Sequence, residues 1–185
     1  MTATQPGVLP QRTADVPIDG KVLRTVCGLF VTGVTVITSG SGAQAAGTTV
    51  NSFTSVSLDP PLVLFCLHKA SRLRAVVEDS GAYTVNFLAG RQEPLAWAFA
   101  GRHTANLDGV DHHYSAAGVP VLSRAMAYLS CRLVNAVEGG DHTIFIGEVA
   151  ELGAPSGESE PLIFFRGSMG ALEAEQRGTH PMFDV

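Results

Sequence analysis

Apolar and polar residues alternate along this chain with two different periods, and the period changes near residue 33. Before that point the spacing is helical. Asp19 is a candidate N-cap, and Val22, Val26 and Leu29 fall on one face of a helix that extends to about Val31. An apolar helix face is normally buried, so we expect this helix to lie against the body of the domain.

Beyond the helix, short runs with a period of two are separated by glycine and proline turns, which is typical of an antiparallel β protein. A turn at residues 40–42 joins the first predicted pair of strands, and a turn at residues 139–141 joins the longest pair. The predicted strands are Val34–Thr38, a segment from Ala45, Leu62–Leu67, Tyr83–Leu88, Ala127–Val137, Thr143–Leu152 and Leu162–Phe165. Further helices are predicted at Ser71–Glu78 and Glu93–Ala100.

The order of these elements favours a mainly β fold, a closed antiparallel barrel with a few peripheral helices. A parallel sheet would need helical crossovers of about a dozen residues between strands, which the pattern does not provide. No GxGxxG motif follows a strand, so we do not expect a Rossmann nucleotide site. We predict one domain over residues 19–172, a flexible tail at residues 1–18 and a polar tail at residues 173–185.

Composition and charge narrow the classes of partner. With 45% hydrophobic and 16% charged residues, the chain can bury a core. The net charge of -5 and the lack of a Lys/Arg cluster argue against nucleic acid and anionic membranes as partners. The opening residues do not resemble a signal peptide, and no run approaches the roughly 18 apolar residues of a membrane span. We therefore expect a cytoplasmic protein with small-molecule ligands.

The three cysteines, Cys27, Cys66 and Cys131, are widely separated, and each lies in an apolar stretch. They form no CxxC or Cys/His pair with the spacing of a zinc site. The sequence therefore predicts free, buried thiols and no metal site.

The segment at residues 47–57 concentrates polar side chains, with six hydroxyl groups and one amide in eleven residues. Hydroxyl and backbone N–H groups can hold a phosphate or a ribityl chain by directed hydrogen bonds, while Val50, Phe53 and Val56 anchor the segment. The alternative is a Thr/Ser-rich edge strand followed by a turn at residues 59–61. Spacing alone does not decide between these interpretations.

Two further positions are candidates for ligand binding. Ser71 and Arg72 begin a predicted helix directly after a strand, and the free N–H groups of a helix N-terminus beside a guanidinium can bind an anion. The simpler alternative is an N-cap serine followed by a solvated arginine. His142 lies at the mouth of the long hairpin, where a histidine is usually just exposed, although barrel rims also bind ligands.

Three blocks in this order resemble one family: Thr49–Pro61, Gly140–Thr143 together with Gly147–Val149, and Phe164–Gly167. The family is the short-chain flavin reductases of the split-barrel, FMN-binding type, the reductase components of two-component flavin-dependent monooxygenases. The resemblance extends over about residues 22–172. It implies a split barrel that reduces free flavin by hydride transfer and supplies it to a separate monooxygenase.

The resemblance also implies a site, in which flavin lies in a groove at a homodimer interface. The residues implied for flavin are Thr49, Val50, Asn51, Ser52, Thr54, Ser55, Ser57, Ser71 and Arg72. Of these, Ser71 and Arg72 would take the phosphate. His142 would lie near the nicotinamide, as the catalytic residue that positions it or stabilises charge, and Arg166 would approach the same cleft. The family often has a hydroxylated aromatic residue where this chain has Phe165.

The reacting pair implied is FAD or FMN with NADH. NADPH is less expected, because no extra Arg/Lys cluster is present to pair with a 2′-phosphate. Two other interpretations stay open: a split-barrel protein that keeps its flavin bound as an electron carrier, or a single-component oxidoreductase with a fixed flavin.

Overall fold

The structure is a computed structural model that describes residues 17–101, 105–154 and 160–172. The predicted tails, apart from residues 17 and 18, lie outside the described residues. The helices are α1 (Gly20–Cys27), α2 (Arg72–Ser80) and α3 (Glu93–Phe99). The strands are β1 (Thr32–Gly33), β2 (Thr35–Ser39), β3 (Ala46–Val50), β4 (Thr54–Leu58), β5 (Pro61–His68), β6 (Ala82–Phe87), β7 (Ala105–Asn106), β8 (His112–Tyr114), β9 (Pro120–Leu122), β10 (Ala127–Gly139), β11 (His142–Gly153), β12 (Leu162–Phe165) and β13 (Ser168–Ala171).

Within the described residues, the main sheet has eight strands in the order β4-β5-β11-β10-β6-β2-β3-β7, and all of its pairs are antiparallel. β1, β12 and β13 form a three-stranded sheet, and β8 with β9 forms a hairpin. The prediction of a mainly β fold with few helices is therefore confirmed.

The main sheet is rolled, and chain connectivity shows why. β3 and β4 are six strand intervals apart in the sheet order, which in a flat sheet is about 29 Å. Residues 51–53 join these two strands directly and can span at most about 14 Å. The two ends of the sheet must therefore curl towards each other, so that β3 comes close to β5.

The predicted closure of the barrel is not confirmed. No strand pair joins β3 to β4 or β5 in the described part of the chain, so the sheet has a seam where a closed barrel would have a ladder. The segment that connects β3 to β4, residues 51–53, and a cleft with polar lining residues lie at this seam. The sequence could not show the seam, because a strand pattern reports the face of a sheet and not which strands pair.

The first helix differs from its prediction in both length and packing. It ends at Cys27, where the N–H of Gly28 bonds the Arg24 carbonyl, and the chain then turns into β1. The chain needs residues after Cys27 for that turn and for pairing with β12, so the helix cannot reach residue 31. None of its side chains is fully buried in the single chain. The prediction that its apolar face is buried against the domain is therefore wrong for the single chain.

Two apolar clusters hold the fold. The inner cluster fills the rolled sheet, and its largest members are Phe65, Tyr83 and Phe145. The outer cluster lies between the sheet and the segments that cover it, including α3 and β9, around Phe99 and Leu122. All five residues of β2 are buried, because one face of the strand packs against the inner cluster and the other face packs against the outer cluster.

Buried and half-buried residues alternate from Leu62 to His68 of β5 and from His142 to Glu148 of β11. Inward residues such as Val63 and Thr143 are buried, whereas Cys66, His68 and His142 are half-buried on the opposite face. Cys66, His68 and His142 line one wall of the candidate site from this face. None of the helices in the described ranges is long and apolar enough to cross a bilayer.

Candidate active site

A cleft of about 260 Å³ lies at the seam of the sheet. Its wall on one side is the end of β3 and the segment that follows, and on the other side it is the end of β5, the start of α2 and the start of β11. The lining residues are Thr48, Thr49, Val50, Asn51, Ser52, Cys66, Leu67, His68, Ser71, Gly101 and His142. The cleft therefore gathers six of the residues predicted from the sequence, from three distant parts of the chain.

The hydroxyl groups of the segment first serve to hold the segment itself. Thr49 donates to the carbonyl of Ala96 at 2.7 Å and so ties β3 to α3. Ser52 accepts from the N–H of Cys66 at 2.9 Å and donates to its carbonyl at 3.2 Å. The β4–β5 ladder ends at the Thr54–Leu64 pair and does not reach Cys66. The two bonds of Ser52 therefore hold the connecting segment to β5 beyond the end of that ladder. Each hydroxyl oxygen keeps acceptor capacity for a ligand.

Ser71 takes the N-cap position of α2, yet its side chain makes no capping hydrogen bond. Ser71 lines the cleft, beside the first turn of a nine-residue helix. Together the hydroxyl and the helix dipole form an arrangement suited to an anion. The Ser71 side chain therefore does not cap α2, and its role in an anion site stays a prediction.

His142 begins β11 and is fixed by its neighbour, because its Nδ1 lies 2.7 Å from Oδ1 of Asp141. A carboxylate is only an acceptor, so Nδ1 carries the proton and Nε2 is the nitrogen left for a ligand. The same contact lowers the pKa of Asp141. His142 is therefore held at the rim of the cleft in one tautomer when it is neutral.

Other predicted residues do not line the cleft of their own chain. Thr54 and Ser55 are exposed on β4, and Ser57 is half-buried there, on an edge strand of the main sheet. Arg72 is exposed on the first turn of α2. Arg166 lies in the turn between β12 and β13, with its guanidinium 5.1 Å from the centre of the Phe165 ring.

The cleft also contains residues that the sequence did not single out. Cys66 and His68 follow from the alternation along β5, which was predicted as a strand but not assigned a face. His68 lies directly opposite His142 in the β5–β11 register. Gly101 and Thr48 complete the wall near the end of α3. The pairing of β5 with β11 is the signal that would have identified His68, and pairing is not visible in a single sequence.

The cysteines differ in environment, contrary to the prediction that all three are buried. None is in a disulfide, but only Cys131 is buried, while Cys66 is half-buried and Cys27 exposed. Burial raises the pKa of the Cys131 thiol to about 12, and it also raises the pKa of Cys66. Cys27 lies at the end of α1, whose apolar face is not covered within the chain.

This difference predicts different rates of reaction with a thiol reagent, because the thiolate is the reactive form and must be accessible. Cys66 will react slowly in the folded protein, and Cys131 will react only when the protein unfolds. A flavin in the cleft will slow the reaction of Cys66. A Cys66→Ser variant, which will lack that phase, is the matched control. Equal rates for Cys66 and Cys131, or a Cys66 rate that flavin leaves unchanged, would contradict the described cleft.

The donors present fit a flavin. Hydroxyl, amide and backbone groups at residues 49–52 suit a polyol chain and the polar edge of a ring, and Ser71 at the α2 N-terminus suits a phosphate. Val50 lies beside them in the lining, and it also packs against the inner cluster. Bound there, a flavin would supply the hydride-accepting chemistry, while the chain would supply placement.

Comparison with known proteins points to the same class. The family model "Flavin reductase like domain" matches residues 27–173. The chain is 38% identical over 167 residues to the reductase subunit HsaB of a flavin-dependent monooxygenase from Rhodococcus jostii, covering 90% of this chain and 85% of that protein. It is 36% identical over 177 residues to the FMN reductase (NADH) SmoA from Agrobacterium fabrum, covering 95% and 100% of the two chains.

A solved structure agrees with these matches. The NADH:FAD oxidoreductase SgcE6 of Streptomyces globisporus C-1027, in complex with NAD and FAD fragments, matches with a TM-score of 0.79 at 37% identity, over 88% of this chain and 99% of that chain. This chain belongs to the flavin reductase family. The family predicted from three sequence blocks is therefore confirmed.

Proposed function

We propose that the chain is an NADH-dependent flavin reductase that reduces free FMN or FAD and releases the product to a separate monooxygenase. One observation carries the proposal: this chain belongs to the flavin reductase family, and its cleft at the seam brings together Thr49–Ser52, Ser71 and His142. The names of the relatives agree with the predicted activity and with NADH as donor. They include both an FMN reductase and an NADH:FAD oxidoreductase, so the choice of flavin stays open.

The task of the protein in this reaction is placement. Hydride passes from nicotinamide C4 to flavin N5, and reactivity belongs to the two small molecules. Bringing the two reacting atoms to about 3 to 3.5 Å converts an encounter into an oriented step. In our proposal Ser71 and Arg72 hold the phosphate, residues 49–52 hold the ribityl chain and ring edge, and His142 positions the nicotinamide or stabilises charge.

Release of the reduced flavin is consistent with the lining of the cleft. No Lys or Arg is among the described residues that line it, so in our proposal the phosphate is held by the Ser71 hydroxyl, the α2 N-terminus and the neighbouring Arg72, without a dense cluster of positive charge. Such a site gives moderate affinity, which suits delivery by diffusion to a separate monooxygenase. The relative HsaB is named as the reductase subunit of such an enzyme.

We also propose a homodimer. Large apolar side chains are exposed on and after α1, with 75% of Phe30 accessible, and on the edge strand β4, with 77% of Leu58 accessible. Apolar surface of this extent marks an interface in many proteins. Thr54, Ser55, Ser57 and Arg166, which do not line their own cleft, would then be free to approach that of the partner. Light scattering should give twice the 19.4 kDa chain mass.

Oxidation of NADH in air, with no flavin, with FMN and with FAD, tests the activity. We expect turnover only with added flavin, and a rate that saturates with it. NADPH should be the poorer donor. Absence of oxidation with every flavin and either nicotinamide would reject the proposed activity. A rate independent of added flavin would select a protein that keeps its flavin bound.

The predicted domain limits and cytoplasmic location remain predictions.

The Ser71 hydroxyl provides a sharper test of the flavin site. Ser71→Ala should raise the flavin KM by about ten- to a hundredfold, because one hydrogen bond to a charged group is lost, and it should leave the NADH KM within about twofold. Ser123→Ala, which removes an exposed hydroxyl outside the cleft, is the control. An unchanged flavin KM in Ser71→Ala would remove this serine from the phosphate site.

A further inference from the structure

We propose that His68 is a positioning residue for His142: its ring fixes the orientation in which His142 meets the nicotinamide. The two residues are directly opposite in the β5–β11 register, and both line the cleft. Their ring centres are 5.3 Å apart, with the planes at 80°. This edge-to-face arrangement is the favourable one for two aromatic rings. The inference rests on the proposed function, since it assigns a support to the residue placed at the nicotinamide.

His68 can act as a support because it is itself fixed. Its Nδ1 lies 3.0 Å from the backbone N of Ala70. A backbone N–H can only donate, so Nδ1 of His68 is an acceptor, and its ring proton lies on Nε2. The backbone carbonyl of His68 also accepts from the N–H of Ser71 at 2.8 Å. The His68 ring is thereby held by the turn that leads into α2.

His142 is consequently held from two sides. Asp141 binds its Nδ1 at 2.7 Å along the chain, and the His68 ring packs against it from the next strand. The surrounding loops are joined as well, because the N–H of Lys69 bonds the carbonyl of Asp141 at 2.9 Å and the Lys69 ammonium pairs with Glu138. With its backbone and one nitrogen fixed, the remaining freedom of His142 is rotation of the ring, and the His68 contact limits that rotation.

Two substitutions separate the ring of His68 from its nitrogen. His68→Asn keeps an acceptor near the position of Nδ1 for the Ala70 N–H but removes the ring. His68→Phe keeps the ring but removes that acceptor. A role confined to the turn predicts that asparagine restores function and phenylalanine does not. A positioning role through the ring predicts the opposite order.

The expected kinetic results follow from the strength of one aromatic pair. His68→Asn should raise the NADH KM by about three- to tenfold, with the flavin KM changed by less than about twofold. His68→Phe should recover most of the affinity for NADH. In a His142→Ala background, which itself raises the NADH KM, His68→Asn should add little, because a support has no effect once its target is absent. His113→Asn, which alters a ring pair with Tyr128 outside the cleft, is the matched control.

A second measurement does not depend on turnover. In NMR spectra of histidine-labelled protein, the His142 ring signals should shift and broaden in His68→Asn and return towards the wild-type position in His68→Phe. Unchanged His142 signals in His68→Asn would overturn the proposal, as would equal damage by both substitutions, a rise in flavin KM, or multiplied effects in the double variant. If the wild-type protein oxidised no NADH, the proposed function would fail, while the NMR comparison would still decide whether His68 positions His142.

Discussion

Gly147→Ala will lower the free energy of unfolding by about 3 kcal/mol or more, although it adds only one methyl group. Gly147 lies on β11 above Tyr83, whose side chain is fully buried in the inner cluster. A Cβ built at Gly147 would lie 2.6 Å from Cζ of Tyr83 and closer still to its hydroxyl oxygen. The Tyr83 ring packs edge to face with the buried Phe65 ring, at 4.8 Å between centres, so a shift of Tyr83 away from the added methyl group would disturb the inner cluster.

The measurement is denaturant unfolding at one fixed protein concentration, since a dimer would make the midpoint depend on concentration. Gly170→Ala is the matched control, because nothing lies within 4 Å of the added Cβ, and it should change stability by less than about 0.5 kcal/mol. Adding Tyr83→Phe to Gly147→Ala should recover part of the loss by removing the hydroxyl. Equal stability of the two glycine variants would contradict the described packing.

Asn86→Ala will destabilise the protein by about 3 kcal/mol, because it leaves buried polar groups without partners. Asn86 is completely buried on β6. Its Nδ2 donates to the Val36 carbonyl and to the Thr38 hydroxyl, both at 3.0 Å, and its Oδ1 accepts from the Leu122 N–H at 2.8 Å. One side chain therefore joins three strands, and it fixes the β8–β9 hairpin to the main sheet.

The control for this prediction is Asn135→Ala, which removes an exposed amide whose Oδ1 accepts only from the adjacent Ala136 N–H among the described contacts. It should cost less than about 0.5 kcal/mol. Thermal and denaturant unfolding of both variants provide the comparison. If Asn86→Ala lowered the free energy of unfolding as little as Asn135→Ala does, the hydrogen bonds of Asn86 would contribute nothing to stability.

The sequence predicted the long elements well, because their patterns are strong and local. β12 was predicted with its observed bounds, and β10 and β11 within two residues of theirs. Very short strands such as β1 and β7 contain two residues each and carry no period that could be recognised. The seam was not predicted either, since it depends on which strands pair, and pairing is set by contacts between distant parts of the chain.

The candidate site was predicted in part for the same reason. Residues 49–52 and His142 belong to contiguous blocks, so a resemblance could locate them and the structure brings them together. His68 belongs to no block and is significant only because β5 pairs with β11. The hydroxyls of Thr49 and Ser52 show a further limit of prediction from sequence. Each also makes a hydrogen bond within the protein, which composition alone could not reveal.

The most direct test of the central claim, that flavin is a released substrate, is an anaerobic reaction of a catalytic amount of the protein with a large excess of FMN or FAD and of NADH. The visible absorption of oxidised flavin reports the amount reduced. We predict that the whole flavin pool will be bleached, many equivalents for each protein chain, with matching loss of NADH. Bleaching that stopped at about one equivalent per chain, or did not occur, would contradict the account.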